Sequence, residues 1–96
     1  METLINKNQI RDGNLIFENK SASDWVSDST YSDYDYKCEI SCSGVTSSMV
    51  ATVIFGQTEA DSGNYATVNQ TGTNTVTIYS KVNTSITIPT ILVQGV

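Results

Sequence analysis

The sequence predicts an all-β domain, a small antiparallel β-sandwich or barrel of about seven strands. Three observations predict it. Short runs of alternating or wholly apolar residues recur about every ten positions between turn-forming residues. No helical period is visible anywhere in the chain. Ser and Thr together supply 25 of the 96 residues, a hydroxyl and β-branched mixture that suits strands with one wet face and disfavours helices. At this length the chain forms one domain with a modest core.

The elements follow in order. Asp12-Gly13 between Ile10 and Leu15 is a hairpin cue, so residues 1–20 are read as an N-terminal hairpin and residues 21–96 as the sandwich. Residues 21–33, SASDWVSDSTYSD, carry no sustained period and read as a loop with Trp25 and Val26 tucked in. Tyr34 to Cys42 alternates, with Tyr36, Cys38, Ile40 and Cys42 on one face and Asp35, Lys37, Glu39 and Ser41 on the other. Gly44 breaks that run, and residues 49–55, MVATVIF, read as a central strand because they are almost continuously apolar. A polar loop, GQTEADSGN, leads to a short strand through Tyr65 and Thr67, then to a tight turn at residues 71–74 and a strand with Val76, Ile78 and Val82 on one face. In the last strand, SITIPTILV, the inward positions slip from Ile86 and Ile88 to Ile91 and Val93 across Pro89. A proline cannot donate to a ladder, which predicts a bulge or an edge there.

Charge excludes some functions. The net charge of −5 repels phosphate backbones, so nucleic acid is not an expected partner. No apolar run reaches the roughly 18–20 residues needed to span a bilayer, and no membrane insertion is expected. Six acidic residues fall between Asp12 and Asp35, whereas after Ile40 the only charges are Glu59, Asp61 and Lys81. The second half meets water through hydroxyls and amides, as surfaces that contact other copies or sugars do.

Cys38 and Cys42 lie four apart on one face of a strand, roughly 13 Å at a rise of ~3.3 Å per residue. A disulfide between them would need Cα atoms within about 7 Å. The chain has no histidine and no third cysteine to complete a zinc site. The expected role is core filling, with pairing between subunits as the alternative; no metal and no cofactor are expected. The lack of histidine also removes the common nucleophile pairs. Asp33 and Asp35 could share a face as an acid/base pair or as calcium ligands, but their Ser/Asp-rich setting reads as solvated surface. No catalytic residue is assigned, and the chain is not expected to be an enzyme.

Trp25, Tyr31, Asp33 and Tyr34 form the candidate ligand site. Aromatic faces stack on sugar rings while a neighbouring carboxylate takes their hydroxyls. The competing reading makes Trp25 and Tyr36 core anchors and the others rim residues. The sequons at Asn19, Asn69 and Asn83 are what chance gives in a chain so rich in Ser, Thr and Asn.

From Trp25 to Val93 the order of features is Trp25, YDYKCEISCS, Gly44-Val45-Thr46, MVATVIF, DSGNYA, a strand from Val76 to Tyr79, and Ile88-Pro89 followed by ILV. This order resembles the small domain at the C-terminal ends of tail-fibre, baseplate and other appendage proteins of phages that infect Gram-positive bacteria. The resemblance implies a homotrimeric tip in the virion, made in the bacterial host cytoplasm. It would meet the host surface through cell-wall saccharide, with residues 1–20 as the end of a longer shaft. The alternatives are a purely structural trimerisation or decoration domain, or a carbohydrate-binding module of a cell-wall enzyme. Burying MVATVIF or SITIPTILV against symmetry mates would add apolar area at about 25 cal/mol per Å².

Overall fold

A computed structural model describes residues 14–95 and divides them between two antiparallel sheets. The elements are β1 Leu15–Ala22, β2 Val26–Tyr31, β3 Tyr34–Ser41, β4 Val50–Ile54, α1 Gln57–Ser62, β5 Tyr65–Gly72, β6 Thr75–Ser80 and β7 Ile86–Gln94. One sheet has the order β1-β7-β4, the other β2-β3-β6-β5. The all-β sandwich expected from the sequence is what the chain forms. The hairpin expected around Asp12-Gly13 lies outside the described residues, and the boundary expected at residue 20 falls inside β1.

The period of two decides what goes inside. Cys38, Ile40 and Cys42 from the β3 segment, Val76 and Ile78 from β6, and Ile88, Ile91 and Val93 from β7 meet between the sheets, closed by Ala22 and Val45. Both cysteines are free and buried, as core filling requires. Burial pushes both thiols up from their usual pKa, because a thiolate loses its hydration there.

Three local expectations are corrected. Residues 26–31 are a strand and not loop. Between the pairs Ser27–Tyr36 and Tyr31–Tyr34, β2 spends three residues where β3 spends one. Those extra residues bulge out and erase the alternation by which a strand is recognised. Residues 57–62 form a short helix and not a loop; it ends on Gly63 at φ 74°, and six residues are too few to show a helical period. β4 is an edge strand and not a central one: Ala51, Val53 and Phe55 turn toward the core while Val50, Thr52 and Ile54 stay exposed.

Pro89 sits in β7, the central strand of its sheet, one residue beyond the point where β4 stops pairing at Thr90. Its partner strand slips with it. The register runs unbroken from Glu18–Thr90 to Lys20–Ile88, with Asn19 between at φ 55°. Leu15 and Phe17 face in before the slip, Lys20 and Ala22 after it. The irregularity is therefore shared by both strands, and no one-sided extra residue is present.

The Gly44-Val45-Thr46 turn is clamped by the β5–β6 hairpin. Gly44 is left-handed at φ 93°, and Val45 N donates to Cys42 O at 3.2 Å. Asn74, itself left-handed at φ 58°, holds this turn three times. Its carbonyl accepts from Cys42 N at 2.8 Å, its N–H donates to Val45 O at 2.8 Å, and its Oδ1 accepts from Gly44 N at 2.9 Å.

Candidate functional site

Three of the four residues singled out in the sequence come together. Tyr31 and Tyr34 are cross-strand partners that flank the two-residue turn Ser32–Asp33 at the tip of the β2–β3 hairpin. Their roles differ. Tyr31 lies edge-on to Tyr79, ring centroids 4.7 Å apart and planes at 79°, so it covers the outer face of the four-stranded sheet. Tyr34 carries the Lys81 ammonium 6.0 Å from its ring centroid, at the limit of a cation–π contact. Asp33 is exposed in the turn.

Below the tip, Asp28 organises the β2 bulge. Its carboxylate accepts from Thr30 N at 2.9 Å and from the Thr30 hydroxyl at 3.2 Å, with Lys37 Nζ at 3.7 Å. The Thr30 backbone bond is the main force holding its pKa below the ordinary aspartate value, and Lys37 adds to it. Asp28 and Asp35 line a shallow hollow with Ser27, Ser29 and Tyr36. Among the described residues no three His, Cys, Asp or Glu side chains are grouped to hold a metal.

Trp25 stands apart from the hairpin tip. It precedes β2, packs partly buried against the core, and donates its indole N–H to Thr84 O at 2.9 Å. That bond ties the entry of β2 to the segment before β7 and occupies the one polar atom of the ring. Trp25 also lies 6.3 Å from Tyr65, whose ring stacks on Phe55 at 5.0 Å and 26°. Trp25 thus supports an aromatic row rather than presenting its own face.

That row leads to a site the sequence reading missed. β4 and β5 are the edge strands of their two sheets, and between them the sandwich stays open as a cleft of about 360 Å³. Ala51, Val53, Phe55, Tyr65 and Ala66 give it an apolar floor; Glu59 from α1 and Thr67 and Asn69 from β5 give it a polar rim. Burial raises the Tyr65 pKa, and the negative charge of Glu59 raises it further. Lower down, side chains lace the two edges together. Asn69 Nδ2 donates to Ala51 O at 2.9 Å, and Thr71 Oγ1 to Met49 O at 2.7 Å. The cleft begins where this lacing stops. Phe55 and Tyr65 are the signal that could have found it: two aromatics, one just after β4 and one opening β5, on either side of a nine-residue polar connection.

Comparison of the chain with family models, curated proteins and solved structures brings out no match. What the site does must be argued from its own geometry.

Proposed function

We propose that this chain is the tip domain of a phage virion appendage, a homotrimeric module that holds host cell-wall saccharide and performs no catalysis. The observation that carries the binding reading is the cleft between β4 and β5. Its stacked aromatic floor offers a flat apolar surface to a sugar ring, and Glu59, Thr67 and Asn69 line its rim, where ring hydroxyls would need partners. The absence of histidine supports a role in holding rather than hydrolysing. The resemblance that runs from Trp25 to Val93 supports the virion setting, and the net charge of −5 disfavours nucleic acid as a partner.

The test is adsorption of the full chain to purified host cell wall and to a glycan array. Thr67→Trp fills the cleft from an exposed position, and Glu59→Ala removes its carboxylate. Both should abolish retention while the circular dichroism spectrum stays that of the wild type. Retention that survives both changes but is lost in Tyr34→Ala would move the site to the hairpin tip. No retention by the wild type would leave a purely structural role.

A further inference from the structure

We infer that the outer face of the three-stranded sheet is where copies of this chain meet, an inference that rests on the self-association proposed above and says which surface makes it. The register places the outward residues in rows. Ile16, Leu92 and Thr52 lie side by side across β1, β7 and β4; Thr90 and Ile54 share the next row, and Val50 pairs with Gln94 in the last. Val50 is 58% exposed, Ile16 46% and Ile54 43%, a large share of the big apolar side chains that the described residues leave in water. Three of them on one face make a patch, not scattered exposure.

Two observations name the occupant. The first is the strand itself. Apart from Thr52, β4 is apolar on both faces, as a strand covered on both sides is, yet in one copy only Ala51, Val53 and, just past its end, Phe55 turn to the core. Its outward Val50 and Ile54 have the composition of a covered surface without the cover. The second is charge. The outward positions of the four-stranded sheet include Asp28, Asp35, Lys37 and Glu39, so two copies of a chain with net charge −5 repel each other there. Across the outward rows of the three-stranded sheet the single charge is Glu18, at the β1 margin. An acidic chain can approach its own copies through this face with least repulsion, and a strongly charged partner would find nothing there to pair with.

Light scattering on the full chain, wild type beside Thr52→Lys and Val50→Glu, tests this. Thr52→Lys sets a charge in the middle of the patch without removing any apolar side chain, and position 52 is exposed, so the fold tolerates it. A control, Asp35→Lys, changes charge on the opposite sheet. The expected result is a wild-type and control mass of several copies, three by the reading above, and a single-copy mass for both patch variants with unchanged circular dichroism. An assembled wild type whose patch variants assemble equally well would overturn the inference and leave the trimer standing on another surface. A wild type of single-copy mass would overturn both.

Discussion

Asn74 gives the sharpest test of how this fold is held. Three bonds join it to the Cys42–Val45 turn, and only one of them, Oδ1 to Gly44 N at 2.9 Å, belongs to the side chain. Its φ of 58° is the second constraint. Asn74→Asp keeps an acceptor in place and a residue tolerant of the left-handed region, so stability should change by less than about 0.5 kcal/mol. Asn74→Gly keeps the backbone geometry and loses the side-chain bond, a cost of about 1 kcal/mol. Asn74→Ala loses the same bond and adds about 1–2 kcal/mol for holding a Cβ in the left-handed region, for a total of about 2–3 kcal/mol. At roughly 4–8 °C per kcal/mol for a domain of this size, glycine should lower Tm by about 4–8 °C and alanine by about 8–24 °C. Thermal unfolding followed by circular dichroism reads all three. If alanine were no worse than glycine, backbone strain would not be the larger cost. If neither differed from the wild type, Asn74 would not be the clamp.

Further expectations follow from the buried and paired groups. Cys38 and Cys42 should react with iodoacetamide at pH 8 only as fast as the fold opens, and at once in denaturant; rapid labelling of the native chain would contradict their place in the core. Asp28 has a lowered folded pKa, so its contribution is complete above the unfolded value of 3.8 and is lost as pH falls through the lower folded value. Asp28→Asn should therefore be less stable than the wild type at pH 7 and equal to it near pH 2, and an unchanged gap at both would refute the ionic contribution. Thr71→Val leaves the Met49 carbonyl without its partner and should cost about 1–3 kcal/mol in denaturant titrations.

Much of this architecture is legible in the sequence because it rests on a period of two. Tyr34 to Cys42 announces its inward face, and the slip across Pro89 is written in the shift from Ile86 and Ile88 to Ile91 and Val93. What the sequence hides is whatever breaks that period or depends on order within a sheet. β2 was masked by its own bulge, since Asp28 and Thr30 satisfy each other locally and free the strand from strict pairing. The place of β4 is hidden because a nearly continuous apolar run looks the same whether a strand lies in the middle of a sheet or at its edge. The candidate site was only half legible for a related reason. Tyr31, Asp33 and Tyr34 are neighbours in sequence and meet at a turn, whereas Trp25 joins Tyr65 and Phe55 only through the packing of the two sheets.

The edges of the sandwich bear on how copies can come together. A bare edge strand invites another strand to pair with it, and such pairing extends without limit. The edges here are obstructed. β2 carries its bulge, and β5 carries another: between Tyr65–Ser80 and Asn69–Ile78 it uses three residues against one of β6. β1 is interrupted at Asn19, whose left-handed backbone departs from strand geometry. β4 has its outer carbonyls at Met49 and Ala51 taken by Thr71 and Asn69. Strand addition is thus disfavoured along the perimeter, which fits the proposal that copies would associate through the apolar outward rows of β1, β7 and β4. A face contact related by a closed rotation would stop at a fixed number of copies, whereas pairing at an open edge can add strand after strand into a fibre.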